Sequence, residues 1–273
     1  MDQRITQSNY DPHYFAKLFA IEDQHFWFRA RNRVITTVVA QIVAPLAPGY
    51  RVLEVGCGTG NVLHALKDTC REGTVIGMDL FIEGLRYARQ RTNAPLVQGN
   101  IHTPPFNTPF AVIGLFDVLE HLDNDRQVLA DLYRLLAPGG TLLLTVPAHR
   151  SLWSYFDQAS HHRRRYEAGE LHRKLNQTGY RVAYLTEFMT GIFPLVWLGR
   201  RWAAWRGHPQ SGDAAQTRAL TERELHITPG INTLLSLILA AELPAIARRR
   251  RLPIGTSLLA VARKSATAKM RPV

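Results

Sequence analysis

The feature that most constrains this fold is a regular alternation of short apolar runs with amphipathic segments between residues 51 and 146. Each apolar run has the length of one strand, and the segments between them carry apolar residues at helical spacing. Strands that are apolar along their whole length and are joined by helices indicate a parallel sheet covered on both faces. The sequence therefore predicts a doubly wound α/β fold. The predicted strands are residues 51–55, 74–80, 95–98, 110–118 and 141–146.

Further elements are predicted on either side of this alternation. Residues 10–44 have helical spacing, and the proline-containing segment 45–49 ends it. After Pro147 come a polar insert, a helix, a strand, two apolar segments and a last strand. Their ranges are 148–169, 170–177, 180–188, 191–205, 231–247 and 255–264. The polar stretch 207–218 between the apolar segments is predicted to be mobile.

Two gaps in the composition exclude whole classes of protein. The chain has only Cys57 and Cys70, so a disulfide scaffold or a structural zinc site is not expected. The first residues carry no apolar run behind a basic head, and no stretch reaches the roughly 18 uninterrupted apolar residues of a spanning helix. We therefore expect a cytoplasmic protein.

The net charge points instead to the kind of partner. The charge of +11 favours an anionic one: nucleic acid, a membrane face or a phosphorylated substrate.

A glycine loop between the first strand and its helix is the first candidate binding site. Gly56, Gly58 and Gly60 allow a sharp turn and close approach of a ligand at the carboxyl edge of the sheet. Position 61 is Asn, so the GxGxxG pyrophosphate pattern is not met. Asp79, at the end of the second strand, can accept hydrogen bonds from both hydroxyls of a ribose, although it can also be a helix N-cap. Together these residues indicate a ligand of the adenosine type.

Four motifs in order resemble those of class I S-adenosylmethionine (SAM)-dependent methyltransferases. They are LEVGCGTG at 53–60, GMD at 77–79, FDVLEH at 116–121 and LAPGG at 136–140. The similarity extends to a bacterial branch related to the type 11 and type 12 methyltransferase domains, and covers residues 22–264. That branch has segments similar to HFWFR at 25–29, to the insert motif that begins at Pro147 and ends at Tyr166, and to residues 255–264.

The resemblance implies a Rossmann-like sheet of seven strands, mostly parallel with an antiparallel last strand. It also implies N-terminal helices and a helical insertion before the last strand. The expected division is residues 1–48 (N-terminal cap), 49–147 (SAM-binding core), 148–188 (acceptor-site insert, helix and sixth strand), 189–254 (helical lid or membrane-facing insertion) and 255–273 (last strand and tail). We expect one elaborated domain, because no linker divides the chain.

The resemblance also assigns the residues that bind SAM. Glu54 and the glycines are expected at the methionine end, Asp79 at the ribose, and Leu80 and Ile101 at adenine. Asn100 is expected to contact adenine although many relatives have Asp there. Either Arg29 or Arg31 is expected to pair with the methionine carboxylate, unless both are solvated. Asp117 completes this cofactor set.

The turn after the fourth strand is the first candidate for the methyl-acceptor side. Asp117, Glu120 and His121 are compatible with plain loop architecture. They also resemble the metal site of ubiquinone-type O-methyltransferases, with Asp in place of the first Glu, and two carboxylates with an imidazole suit a divalent cation. We expect no metal and keep this set as the alternative. His121 is an additional candidate base.

The insert is the second candidate. We predict that His162 is the general base, since histidine exchanges protons near neutral pH, and that Asp157 orients it. Arg164 or Arg165 is expected to grip an anionic group of the acceptor, because arginine binds phosphate and carboxylate bidentately. Tyr166 is a further catalytic candidate and Trp153 an acceptor-binding one. A charged insert could otherwise be a solvated lid.

Three functions remain open from the sequence. The first is O-methylation of a small or lipid-linked acceptor, anionic or glycan in nature, close to the inner membrane face. The second is RNA methylation, against which stands the lack of an appended RNA-binding module. The third is SAM binding without catalysis. The apolar segments carry tryptophans beside arginines, including Arg206 and residues 248–251, and so predict either a packed lid or peripheral contact with an anionic membrane.

Overall fold

A single seven-stranded sheet organises the computed structural model, which describes residues 13–205 and 226–266. The strand order is β3-β2-β1-β4-β5-β7-β6. All neighbouring pairs from β3 to β5 are parallel, and β7 runs antiparallel to both β5 and β6. This topology confirms the predicted Rossmann-like sheet. The strands are β1 (Arg51–Val55), β2 (Thr74–Asp79), β3 (Leu96–Gln98), β4 (Phe110–Phe116), β5 (Leu136–Pro147), β6 (Arg181–Phe188) and β7 (Ser257–Arg263).

Two hydrophobic cores lie on opposite faces of this sheet because successive side chains of a strand point to opposite sides. Val52 and Val112 face one core, whereas their neighbours Leu53 and Ile113 face the other. The helices that cover the sheet are α1 (His13–Ile21), α2 (Phe26–Val43), α3 (Asn61–Thr69), α4 (Ile82–Arg91), α5 (Asp125–Leu135), α6 (Tyr155–Ala159), α7 (Ala168–Gln177), α8 (Phe193–Trp205), α9 (Pro229–Ala240) and α10 (Leu243–Ala247).

Several boundaries differ from the prediction for local reasons. The segment predicted as one helical region over 10–44 is two helices, because the His25 side chain accepts a hydrogen bond from the Trp27 N–H and begins α2 there; residues 10–12 lie outside the described part. β4 ends at Phe116 rather than at residue 118, because Asp117 adopts a left-handed φ of 54°. β5 begins earlier than predicted, since Leu136 pairs with Phe110 before an irregularity in the ladder.

The polar insert contains a helix that the prediction lacks. α6 begins with a capping box, in which the Ser154 side chain and the Asp157 carboxylate satisfy each other's backbone N–H groups. The pattern Ser-x-x-Asp at 154–157 is a known signal for a helix start, so the sequence did contain this information.

The two apolar segments are helical, but the second is interrupted. The predicted stretch 231–247 is split into α9 and α10, and the Glu242 carboxylate between them accepts hydrogen bonds from Met189 N at 2.7 Å and Gly191 N at 2.9 Å. By length and composition alone, the 19 residues Pro229–Ala247 could cross a membrane. Only 11% of an 18-residue window of this segment is buried, and Leu239 and Ile246 are the residues by which it joins the core that includes α2. Residues 207–218, predicted to be mobile, lie outside the described part of the chain.

Candidate active site

The carboxyl ends of β4, β5 and β6 are each followed by a residue with strained backbone. Asp117 after β4, His149 after β5 and Met189 after β6 all have φ between 54° and 61°, which side chains other than glycine seldom adopt. Such conformations cost free energy and are commonly kept at functional sites. Ligands of open α/β sheets bind at this same edge.

In the glycine loop after β1, glycines leave the backbone itself free to approach a ligand. Gly56 has a φ of 74°, and a Cβ there would lie 2.4 Å from Val118 Cγ2. Gly60 has a φ of 77°, and a Cβ there would lie 2.9 Å from Ala88 Cβ. Both positions therefore require glycine for conformation and for space.

Asp79 fastens this loop to the end of β2. Its carboxylate accepts hydrogen bonds from Gly58 N at 2.7 Å and Phe81 N at 2.8 Å. A carboxylate has about four lone-pair positions, so two more donors can bind it. Burial raises the pKa of Asp79, and the backbone donors oppose that shift.

Glu54 and Arg31 form the polar floor beside the loop. Glu54 is buried, and its Oε2 has no hydrogen-bond partner within the described ranges. Burial raises the pKa of Glu54 well above its usual value, and the nearby charge of Arg31 opposes this shift. Arg31 is also buried and donates to Asp117 Oδ2 at 3.0 Å. Arg29, two residues earlier, is exposed.

The N-terminal helices close over this loop through residues for which we predicted no role. The Arg91 guanidinium donates to Glu22 Oε2 at 2.8 Å and to the Thr59 carbonyl at 3.0 Å, and Glu22 also accepts from the Thr59 hydroxyl. Phe15 of α1 lies against the loop, since its ring is 3.8 Å from the position of a Cβ on Gly58. We call the contacts among Phe15, Glu22, Thr59 and Arg91 together with the glycine loop the clasp. No short motif in the sequence marks the clasp, because its members come from three separate elements.

A buried group of ionisable side chains lies on the insert side. His162 Nδ1 lies 2.9 Å from Asp157 Oδ1, and Arg165 Nε donates to the same oxygen at 2.7 Å. Burial alone would raise the pKa of Asp157, but the bond from His162 and the charge of Arg165 together lower it. With Asp157 ionised, the hydrogen bond assigns the proton to Nδ1 and leaves Nε2 as the basic nitrogen.

Glu120 and His121 lie next to that basic nitrogen. Glu120 Oε1 is 4.0 Å from His162 Nε2, and the rings of His121 and His162 are 4.9 Å apart. Glu120 is fully buried without a hydrogen-bond partner in the described residues; burial and then the charge of Asp117 raise its pKa well above the usual value. Burial and then His162 lower the pKa of His121 to about 3. His121 is therefore neutral near pH 7, and burial of Glu120 favours the protonated form of its carboxyl.

Comparison with known proteins identifies the chain. A family model described as a methyltransferase domain matches residues 26–185. A probable SAM-dependent methyltransferase of Mycolicibacterium smegmatis is 30% identical over 63% of this chain and 65% of its own length. A fatty-acid O-methyltransferase of the same species is 38% identical over 36% of this chain and 37% of its own length. The chain thus spans less than two thirds of both relatives.

A solved structure shares the fold across most of the chain. The plantazolicin methyltransferase BpumL, in complex with S-adenosylhomocysteine (SAH), superposes with a TM-score of 0.58 at 14% identity, covering 94% of this chain and 91% of that one. This likeness shows the fold, and the family model, which matches more than half of the chain, decides the family. The chain belongs to the class I SAM-dependent methyltransferases.

The residues at the glycine loop fit SAM as the cofactor of this methyltransferase. The unpartnered oxygen of Glu54 suits the cationic amino group of the methionine moiety, and Asp79 has capacity for two ribose hydroxyls. The chain after β3 is tied to β2 by Gly99 N, which donates to the Asp79 carbonyl at 2.9 Å, so Leu80 lies beside Asn100 and Ile101. Of the two arginines predicted for the methionine carboxylate, the buried Arg31 is the one placed at this site.

The predicted acceptor residues of the methyltransferase are only partly brought together. The Arg165 guanidinium binds Asp157 and the Ala148 carbonyl, and Arg164 binds Asp125 at 3.3 Å, so both are engaged within the protein. The geometry does not support a clamp made of these two residues. Trp153 is half-buried after one turn of 3-10 helix at Arg150–Leu152.

Tyr166 is placed where a catalytic role has no geometric support. Its side chain is fully buried, and its hydroxyl donates to Asp125 Oδ2 at 2.9 Å. Burial and the charge of Asp125 raise the pKa of Tyr166. The predicted catalytic tyrosine is thus a buried support for the insert, because the pairing of Ala148 with Tyr166 turns its side chain into the core.

The alternative metal set also changes in the methyltransferase structure. Asp117 is engaged by Arg31 and by the Thr145 hydroxyl at 3.1 Å, so it is not grouped with Glu120 and His121. His162 takes its place: single ligand atoms of Glu120, His121 and His162 lie within 4.8 Å of one another. The sequence could not show this, because His162 is brought to β4 only by the folding of the insert.

One contact between a histidine and a glutamate was not predicted at all. His149 Nε2 lies 2.8 Å from Glu187 Oε2, which joins the ends of β5 and β6, and the His149 ring lies 5.5 Å from that of Phe193 at the start of α8. The signal was the position of His149 two residues after the fifth strand, at the edge where the other polar residues gather.

Proposed function

We propose that this methyltransferase transfers the methyl group of SAM to a hydroxyl oxygen of a small or lipid-linked acceptor in the cytoplasm, with His162 as the base. The observation that carries the proposal is the Asp157–His162 hydrogen bond of 2.9 Å, held in a buried insert beside the ends of β4 and β5. An imidazole fixed by an ionised carboxylate is a general base near neutral pH.

The chemistry divides between cofactor and protein. When bound, SAM would supply an electrophilic methyl group on a sulfonium, with Glu54 and Asp79 expected to hold the cofactor. His162 Nε2 takes the proton that the acceptor hydroxyl loses when its oxygen is methylated. Asp157 then stabilises the resulting imidazolium. Arg165 already balances part of the negative charge of Asp157, which reduces this stabilisation. Orientation and exclusion of water supply the rest of the rate enhancement.

The nature of the acceptor follows from what surrounds this pair. Because Arg164 and Arg165 are engaged by other groups of the protein, an anionic group on the acceptor is not required by the site. Phe193 begins the apolar α8 directly beside His149 at the same edge of the sheet. An acceptor with an apolar portion can therefore approach along α8, and a fatty-acid O-methyltransferase is among the relatives.

The test is transfer of label from methyl-labelled SAM into the lipid, aqueous and RNA fractions of a bacterial extract. His162→Ala is expected to lower turnover about 100-fold or more while SAH affinity stays at the wild-type value, since general bases contribute roughly 10²–10⁴. His172→Ala, on an exposed position of α7, is the matched control.

Different outcomes separate the alternatives. Wild-type turnover in His162→Ala would remove the histidine from the mechanism. Label found only in RNA would replace the proposed acceptor. Loss of activity with a chelator, restored by a divalent ion, would assign Glu120, His121 and His162 to a metal instead. SAH binding without label in any fraction would support a protein that binds SAM without catalysis.

A further inference from the structure

Two helices expose far more apolar side chain than the rest of the described chain. On α8, Leu195, Leu198, Trp202 and Trp205 are 62%, 58%, 53% and 83% exposed. On α9, Ile231, Leu234 and Leu237 are each 58% exposed or more. Large apolar surfaces of this kind usually mark an interaction site rather than free surface. We call these seven residues the apolar surface.

The helices that carry the apolar surface are firmly held from the opposite side. Asn232 accepts from Phe26 N at 2.7 Å and donates to the Gln24 carbonyl at 3.0 Å, which fixes the start of α9 to α2. Leu239 is buried in the core, and Glu242 holds the turn before α8. Each anchor lies on the inner face, so the exposed residues do not result from a displaced helix.

Exposed arginines accompany the apolar surface. Arg201 lies over the Trp197 ring, 5.3 Å from its centroid, which is within the roughly 6 Å limit of a cation–π pair. Arg248, Arg250 and Arg251 follow α10 and are exposed. Arg249 differs, because it donates to Gln41 Oε1 at 2.9 Å and lies over Tyr184. Three of the four arginines in this run, rather than all four, are therefore available to a partner.

We propose that the apolar surface, together with Arg248, Arg250 and Arg251, docks the protein onto an anionic lipid bilayer. Tryptophan and leucine insert at the boundary between headgroups and acyl chains, and arginines bind anionic headgroups. The net charge of +11, summed over the whole chain, adds long-range attraction to an anionic bilayer. The Glu242 break between α9 and α10 keeps these helices on the domain, so the protein lies on the membrane and does not span it.

Vesicle flotation of the full chain tests this without SAM or acceptor, so the result does not depend on the proposed methyl transfer. The wild type is expected to float with phosphatidylcholine vesicles that contain phosphatidylglycerol, and binding should weaken as salt rises. Neutralising Arg248, Arg250 and Arg251 to Ala should lower partitioning on the order of 100-fold, about fivefold for each residue. The matched control changes Arg71, Arg126 and Arg173 to Ala, three exposed arginines on other elements, and should partition like wild type.

A second variant tests the apolar part. Leu198→Gln with Leu234→Gln changes only exposed side chains, so its thermal unfolding should match wild type while partitioning falls roughly tenfold or more. Absence of flotation at low salt, or equal loss in the control arginine variant, would overturn the proposal. So would a stable dimer that the leucine variant dissociates, because a second copy would then cover this surface.

Discussion

At the scale of single residues, Asp157 serves three partners at once. It completes the capping box of α6, accepts from Arg165, and orients His162. Removing its charge would therefore disturb the insert as well as the base, since a buried partner left unpaired costs several kcal/mol. For this reason His162 is the sharper position at which to test the mechanism.

The sequence predicted which residues gather at the site better than it predicted their partners. Asp157 and His162 are in contact as expected, because they are five positions apart at the end of a short helix. Arg165 and Tyr166 were expected to face the acceptor, yet both turn inward. Residue type and spacing do not contain that orientation, which is set by the pairing of Ala148 with Tyr166.

The raised pKa of Glu120 predicts how the free energy of unfolding depends on pH. Its pKa is raised in the folded protein, so the folded state keeps a proton that the unfolded state releases above the ordinary value of 4.5. The stability that Glu120 contributes is therefore complete below that value and is lost as pH rises toward the folded pKa. With chelator present, the free energy of unfolding should fall as the pH rises above 4.5, by up to about 1.4 kcal/mol for each pH unit from this group.

Glu120→Gln should remove that part of the slope. Urea titrations at several pH values measure it as the difference between wild type and variant, so the contributions of the other buried carboxyls, such as Glu54, Asp79 and Glu242, cancel. Asp68→Asn, at an exposed carboxyl on α3, should keep the wild-type slope. Parallel slopes for wild type and Glu120→Gln would show that Glu120 is ionised in the folded protein.

At the scale of elements, strands were easier to predict than the segments that flank the sheet. The central strands are buried on both faces, so their apolar runs appear directly in the sequence. α9 and α10 were predicted as one segment because Glu242 occupies a position where an apolar helix can tolerate a polar residue. Its carboxylate instead binds Met189 N and Gly191 N, a contact with a distant loop that no local pattern reveals.

The clasp of α1 on the glycine loop yields a prediction at this scale. Arg91→Met removes the bonds to Glu22, Asp23 and Thr59, and leaves Glu22 buried beside the loop without its cation. Hydrogen exchange in α1 should rise by at least tenfold while exchange in β1 and β4 stays nearly unchanged, since opening would be local. SAH should also dissociate faster.

Arg89→Met is the control, because Arg89 lies on the same helix, is exposed and donates a hydrogen bond to the Ala94 carbonyl in the turn that follows. Mass spectrometry of exchanged peptides resolves α1 from the sheet. Equal protection of α1 in both variants would show that packing of Phe15, rather than Arg91, holds the helix in place.

At the scale of the whole molecule, the cofactor site joins elements that are distant in the chain. Glu54 and Asp79 end adjacent parallel strands, Arg31 comes from α2, and the clasp adds α1 and α4. A ligand that binds only this assembled arrangement stabilises the entire fold by mass action. The order of the four motifs was enough to predict the sheet and the cofactor, whereas the covering helices could be located only in the folded chain.

SAH should therefore raise the melting temperature of the methyltransferase. At about 100 times its Kd the ligand adds roughly 2.7 kcal/mol, which for a chain of this length corresponds to a rise of about 5–10 °C.

Asp79→Ala should weaken SAH binding on the order of 100-fold, because hydrogen bonds to a charged acceptor contribute about 1.5–3 kcal/mol each. The shift at the same SAH concentration should then nearly disappear. Asp79→Asn keeps one acceptor oxygen for Gly58 N or Phe81 N, so its SAH affinity should lie between those of wild type and Asp79→Ala. This variant shows whether collapse of the loop alone explains the loss of SAH affinity. Scanning calorimetry with and without SAH measures all three proteins, with Asp68→Ala as the exposed control. A full wild-type shift in Asp79→Ala would place the ribose elsewhere along the sheet edge.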